Sequence, residues 1–517
     1  MIPNTLQSLY AQLETSRWEY FYQGHKSSTL TIPSILPMDG QDRAHLPQNF
    51  QSIGARGVNN LSSRLSLTLF PATLPFMRLE ISPADRAALA GEGTDILTEV
   101  QQSLLAIEEQ AVSEFDTEGW RPVVSSALRL LVCTGNALIY DRGGSDSRPA
   151  VFDMRSYVVD RDPEGNLLTV ILKQEIGVSA ASTALRELAE TEAVKHHLTH
   201  GSGYNSTHEP TIELYTGARR NSEGRYEYWQ EIAGVEVPDS RTQKHRKDLP
   251  LLPLRFEPIE CAAWGRGYVE DYHGDLLALE YLSRALVEGA TAMAKIIWLI
   301  RPGSSTKAQT IAKAPNGSIR MGDPDDVGAL QADKASDLSV ALNMSDRISQ
   351  RLSSNFLLSS SIQRNGERVT AEEIRIMAQE LEDALGSVYA SLAEHVQRPI
   401  VEYLYNRMER RGVLNGVPSA VKPVVASGLE NISRNHKVAR IQEFLGTMNQ
   451  LFGPEQIATI VKVEEVAADL AIGLNLDVTR YILSEEEIAQ NRLEQQQQAA
   501  VQAVGPEIIK QAGQQPQ

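Results

Sequence analysis

Residues 359–382 read SSSIQRNGERVTAEEIRIMAQELE. Arg364 and Arg368 flank Asn365–Gly366, a turn-forming pair, and Thr370 opens a Thr-x-x-Glu capping box closed by Glu373. Arginines on a loop held by a rigid helix start can touch phosphate oxygens. Between Ile362 and Val369, however, two arginines face one glutamate (Glu367), too little charge for tight phosphate binding, because each neutralised phosphate contributes separately. The residues alone leave two readings open: a DNA-facing loop or a polar connector.

Other chemistry-bearing groups are weaker. His196, His197, His200 and His208 cluster in sequence, and the helical spacing of 177–201 would put His196 and His200 on one face, as metal sites do; but the group ends in a Gly/Ser-rich polar loop with no second ligand cluster, and reads as a solvated surface. Asp323, Asp325 and Asp326 in DPDD lack the spacing of a calcium loop and read as a charged turn. With Lys307, Lys313 and Arg320 just before them, they are candidates for a protein-docking face. GRGYVEDYHG (265–274) has one Gly-x-Gly without the rest of a dinucleotide fingerprint, and reads as a tight turn launching a helix. No Walker A, HExxH, GxSxG or CxxC pattern occurs, so no catalytic residue, cofactor or metal is assigned.

The elements that must position these groups follow from bulk properties and periodicity. The chain has 517 residues, 42% hydrophobic and 22% charged, with a formal charge of −17 and two cysteines. That length suggests several domains, and the acidity argues against a protein that coats nucleic acid. Two cysteines make no disulfide framework, so a reducing compartment is expected. No signal peptide or membrane-length apolar run is seen, and the chain reads as made in the cytoplasm without an anchor.

Helices are expected over 1–30 and 51–71, and over most of 84–139 with a break near Asp116–Gly119. Strands are expected at 76–82, through 138–176 around the turn DRDPEGN, and again in TIELYTG, RYEYWQEIAG and LLPLRFEPI. From Val269 an unbroken stripe (Tyr272, Leu276, Leu279, Leu282, Leu286, Ala290, Met293, Ile297) predicts one helix of about 28 residues, roughly 42 Å long. A second stripe (Leu338, Ala341, Ser345, Ile348, Leu352, Phe356) predicts another over 336–358. The two bracket a loop-rich module, with Leu276, Leu279, Leu282, Leu286, Leu338, Ile348 and Leu352 as the packing residues. A third helix follows Thr370 and runs toward Met408, with a kink expected at Pro399. Further helices are expected over 431–493, and from Gln495 the tail is Gln- and Ala-rich. The fold class is α+β, predominantly helical.

Several segments carry a family resemblance: TIPSILP (31–37), GARGVNNLSSRLSLTLFP (54–71), MRLEIS (77–82), GNALIY (135–140), SYVVDRDPEGNLL (156–168), GRGYVEDYHGDLLALE (265–280) and, above all, SIQRNGERVTAEEIRIMAQELEDALGSVY (361–389). In these the chain resembles the portal proteins, or head-to-tail connectors, of short-tailed podovirus-type bacteriophages of the autographivirus kind. The resemblance spans most of residues 1–480.

It implies an elongated subunit with a β-containing wing (1–268), stem helices (269–297 and 336–358), a clip between them (298–335), a channel or tunnel loop (359–370), a long helix and wing return (371–430), and a crown with the Gln-rich tail (431–517). It also implies a twelve-membered ring at one capsid vertex of the virion, with double-stranded DNA passing through a central channel. Expected partners are the terminase large subunit, then the tail adaptor protein, and the major capsid, scaffolding and internal core proteins, with no membrane. Arg364, Asn365 and Arg368 become DNA-facing, anchored by Thr370 and Glu373. A nucleic-acid-processing enzyme of the packaging machinery and a scaffold-like assembly protein without a channel are the alternatives.

Overall fold

Alternating apolar residues on either side of an Asp–Asn turn build the centre of the molecule. In the computed structural model, Tyr157–Arg161 pairs antiparallel with Leu167–Gly177. The connecting turn is closed by the Asp162 carboxylate, which accepts from the Asn166 backbone N–H at 2.7 Å, and by Gly165 at φ +86°. Residues described are 5–41, 43–72, 75–80, 94–143, 148–195, 199–200, 210–293, 297–303, 323–330, 335–358, 384–412, 424–426 and 443–448, with scattered positions between 307 and 321, 376 and 381, and 441 and 470.

The chain divides into two units. One comprises residues 1–74 and 113–410, the other 75–112 and 411–517. In the first, an antiparallel sheet runs Thr242–Lys244, Tyr226–Ile232, Pro210–Arg220, Leu167–Gly177, Tyr157–Arg161. A three-stranded sheet sets Asn136–Tyr140 between Leu251–Arg255 and Ala150–Phe152. Their shared core includes Leu138, Tyr157, Val170, Leu172, Leu251 and Trp264.

The N-terminal helix Leu6–Leu30 lies across the large sheet. Leu6, Leu9 and Tyr10 pack on Val158, Ile171, Tyr215 and Trp229. Leu6 sits so close over Gly217 that a Cβ there would come within 2.4 Å of it. Arg17 on the same helix is buried and donates to the carbonyls of Met154 (2.8 Å) and Arg155 (2.9 Å), so its charge satisfies chain ends that have no ladder partner.

The first two glycines of GRGYVEDYHG, Gly265 and Gly267, serve close packing. A Cβ on Gly267 would lie 2.8 Å from the Cys133 carbonyl oxygen, and Gly135, at φ +80°, meets the same turn. Asn136 mimics a strand partner, donating to the Gly265 carbonyl at 2.6 Å and accepting from its N–H at 2.8 Å.

In the second unit, Arg78–Glu80 pairs antiparallel with Val424–Ala426, the first of them within the strand expected at 76–82. Glu108 is buried and accepts from the Leu79 N–H at 2.8 Å. Among the described residues no helix is long and apolar enough to cross a membrane.

Three sequence expectations are corrected. The stripe from Val269 is not one helix: Tyr268–Asp271 forms a single turn, His273–Met293 a 21-residue helix of about 32 Å, and Ile297–Ile300 a strand. Ile297 fits a helical stripe, but IIWLI is also rich in β-formers, and pairing with Val327–Leu330 decides the outcome. His200 lies in a two-residue strand beside Pro210–Thr211, not on a helix; His196, His197 and His208 lie outside the described residues. The third long helix is interrupted at Gly386 (φ +54°) and again at a π-helical turn, Ala393–Gln397, before Arg398–Arg410. Pro399 has no N–H to give the carbonyl four residues back, and the Arg398 N–H reaches the Ala393 carbonyl instead, so the expected kink takes the form of a π turn.

Candidate functional site

Two helices and the chain leaving the second one form the candidate site. His273–Met293 and Ala335–Asn355 pack side by side. At one end Leu276, Leu279, Ile348 and Leu352 are fully or nearly fully buried, and Arg351 Nε donates to Asp275 at 2.8 Å. Toward the other end Leu282, Leu286 and Leu338 are only half-buried. Leu338 nonetheless lies against Gly289, where a Cβ would be 2.9 Å from it, so the helix axes stay close. All seven sequence-assigned packing residues therefore lie on this pair, with burial falling from one end to the other.

Beyond the exposed end, Ile297–Ile300 pairs antiparallel with Val327–Leu330, and the Arg301 N–H donates to the Asp326 carbonyl at 3.0 Å. The DPDD segment is a 3-10 turn capped by Asp323, whose carboxylate accepts from the Asp325 N–H at 3.0 Å. Asp323 and Asp325 are exposed and Asp326 is buried. Lys307 and Lys313 are exposed; Arg320 lies outside the described residues. Ile319 and Met321 are almost fully exposed, at 97% and 98%.

The end of the second helix is held by an aromatic cluster. Phe356 meets Tyr268 edge-on at 5.6 Å and Tyr272 at 5.6 Å. The Tyr268 hydroxyl donates to the Asn355 carbonyl at 2.9 Å. Burial, then the hydrogen bond shared with Tyr272, pushes the Tyr268 pKa up, so the phenol remains a neutral donor.

The helix Ile53–Leu69 is the spine behind this end. A Cβ on Gly57 would come within 2.6 Å of the Phe356 ring, so only glycine admits it. One turn on, the Asn60 side-chain amide donates to the carbonyls of Phe356 (3.0 Å) and Leu357 (3.1 Å), capping the helix end and turning the chain at Leu357, which adopts φ +55°. A further turn on, buried Arg64 pairs with Glu380 at 2.7 Å. At the end of the spine the Leu69 carbonyl accepts from the Gln397 side chain at 2.6 Å. One helix thus grips the chain at 356–357 and again at 380.

Between those grips lie Arg364, Asn365, Arg368, Thr370 and Glu373, all outside the described residues. The grips escaped the sequence reading. Their signal is the spacing of Gly57, Asn60 and Arg64, which falls on one helical face (i, i+3, i+7) while Val58, Leu61 and Leu65 form the apolar stripe.

Among the described residues, no group of three or more metal-ligating side chains converges. The arrangement grips the chain on both sides of residues 359–375; among the described residues it does not assemble a nucleophile, base and oxyanion donor.

A family model described as bacteriophage head to tail connecting protein matches residues 3–481. The portal protein of Escherichia phage T7 is 32% identical over 498 residues, covering 95% of this chain and 90% of that protein. The portal protein of Enterobacteria phage T3 is also 32% identical, covering 93% and 88%. That of Pseudomonas phage phiKMV is 29% identical, covering 92% and 91%. The chain belongs to the bacteriophage head to tail connecting protein family.

Proposed function

We propose that this chain assembles into a closed portal ring at one capsid vertex, twelve subunits around a channel through which double-stranded DNA enters and leaves, and that it performs no catalysis. The observation that carries the reading is the unfinished burial of the helix pair. Tyr281, Val287, Val340, Leu342 and Met344 are each more than half exposed on those two helices. Exposed apolar side chains on both sides of the pair are places for neighbouring subunits, and identical subunits meeting head to tail close into a ring.

In this reading residues 1–268 are mostly wing, His273–Met293 and Ala335–Asn355 are the stem, and the module between them is the clip. Residues 359–370 are the channel loop, and 431–517 the crown. The clip docks the terminase motor during packaging and the tail adaptor afterwards, through Lys307, Lys313, Arg320 and the DPDD turn. An acidic subunit leaves few binding wells for a duplex that carries one charge per roughly 1.7 Å of axis, so DNA slides. Arg364 and Arg368 supply brief phosphate contacts.

Native mass spectrometry of the purified chain tests the assembly. The expected species is a twelve-fold ring, and Val287→Asp with Val340→Asp is expected to give folded monomers; a wild-type chain that stays monomeric at all concentrations would defeat the reading. For the loop, Arg364→Ala plus Arg368→Ala is expected to leave rings intact and lower packaged DNA. Undiminished infectivity would remove its DNA-facing role.

A further inference from the structure

A cavity of about 420 Å³ opens where the Asp162–Asn166 turn, the Arg220–Tyr226 turn and the π-helical turn at 393–397 converge. Four arginines line it (Arg161, Arg220, Arg246 and Arg255), with His395, against the two carboxylates of Glu164 and Glu394. In a chain of charge −17 such a concentration of positive charge requires a reason. None of these residues belongs to the helix pair or to residues 359–370.

The two carboxylates do not neutralise the arginines. Both are exposed; Glu394 lies 3.9 Å from Arg398, and Glu164 accepts from the Asn166 amide at 3.3 Å. Asp162 and Glu402 are the other acids nearby. Glu402 acts on Arg246 at a distance but is paired with Arg398 at 3.1 Å. Asp162 accepts from Asn166 and stands 4.0 Å from Arg220. Among the described residues Arg161, Arg246 and Arg255 make no ion pair with a carboxylate.

Arg161 is instead locked by three carbonyls, those of Ala263 (3.2 Å), Gly165 (3.1 Å) and Pro253 (2.9 Å), and Arg255 donates to the Ala262 carbonyl at 3.2 Å. These bonds fix the direction of the guanidinium groups without cancelling their charge. Burial, then the charges of Arg255 and Arg246, works against the Arg161 cation, and burial also lowers the Arg246 and Arg255 pKa values. An arginine nevertheless keeps its proton at neutral pH. The positive charge therefore remains, preorganised and unpaid, and an anion entering the cavity would relieve it.

We propose that this cavity is a binding site for a small phosphate-bearing anion, held by the exposed Arg220 and by the more buried Arg161, Arg246 and Arg255. Planar guanidinium forks match phosphate oxygens bidentately, and the volume lies within the range of small-ligand pockets, about 300–1,000 Å³. Bound there, the anion would tie the hairpin of the large sheet to the π turn that leads into Arg398–Arg410.

Calorimetric titration of the purified full chain with sodium tripolyphosphate, in phosphate-free buffer and against sodium chloride of matched ionic strength, tests this. Expected is one saturable event per chain and a raised melting temperature. Arg220→Gln with Arg246→Gln is expected to weaken the affinity at least tenfold. Arg220→Gln alone, at an exposed position, is expected to weaken it several-fold with the unliganded melting temperature unchanged. Absence of saturable binding beyond the chloride control, or equal binding by these variants, would overturn the proposal. So would a short DNA duplex that binds through these arginines where tripolyphosphate does not. Rings of the double variant that fall apart at a salt concentration the wild type survives, with no tripolyphosphate bound by either, would also overturn it and assign the cavity to a carboxylate of a neighbouring copy.

Discussion

Between Asn136 and Arg255 the apolar residues Leu138, Ile139, Val170, Leu172 and Leu251 are completely buried, whereas along His273–Met293 burial ends two turns in, after Leu279. The sheet-containing body closes its core with its own N-terminal helix and ties its far edge with ion pairs. There Arg407 bonds Asp141 at 2.6 Å and Glu118 at 3.0 Å, and the Tyr403 hydroxyl donates to Asp141 at 2.7 Å, all around a carboxylate with no exposure. Among the described residues the helix pair has no such closure at its outer end. The body therefore closes its core within one chain, and the outer end of the pair is where the proposed neighbouring subunits would pack.

The comparison breaks first at Arg407. Arg407→Ala leaves the Asp141 charge buried without its cation, and is expected to cost about 3–5 kcal/mol, read as a large fall in denaturant midpoint. A shift near zero would show that Asp141 is not a closing element of the body. Next, Leu276→Ala removes a fully buried side chain at the closed end and should cost about 2–4 kcal/mol, while the same change at half-buried Leu286 should cost less than about 1.5 kcal/mol in the monomer. Equal losses would mean that the pair is evenly packed.

Gly57→Ala sharpens the contrast at the junction. Its Cβ would collide with Phe356, displacing the chain just before residue 359, for about 1–3 kcal/mol. Ring assembly should survive and packaged DNA should fall; normal packaging would detach the spine helix from the loop's action. The smallest effect is chemical. Burial pushes the Cys133 thiol up to about 12, with the Thr31 hydrogen bond working in the opposite direction, whereas Cys261 is exposed. A maleimide at pH 7.5 should label Cys261 and leave Cys133 untouched until the body unfolds; equal labelling would show that the body opens readily.

Much of this was legible from residue pattern. The turn DRDPEGN, the strands on either side of it, the two striped helices and the breaks after Leu30 and near Gly119 all follow from periodicity and from glycine or proline. The failures have a common cause. Ile297 satisfies a helical stripe and a strand equally well, and only its partner Val327–Leu330 decides between them. The helical spacing expected over 177–201 holds at Thr183–Ala189 and Glu192–Lys195 but gives way at Thr199–His200 to a strand beside Pro210–Thr211. The grip of Gly57, Asn60 and Arg64 joins positions some 300 residues apart, and the four arginines of the cavity come from three strand ends and a 3-10 turn spread over residues 161–255. Neither constellation exists until the chain is folded.

Electron microscopy of rings formed by the full chain, at a resolution that traces the helix pair and residues 359–370, bears most directly on the central claim. Closed twelve-fold rings are expected, with Tyr281, Val287, Val340 and Leu342 covered by the neighbouring subunit and the 359–370 segment facing the central hole. Particles that are monomeric, or rings in which those side chains remain in solvent, would contradict it.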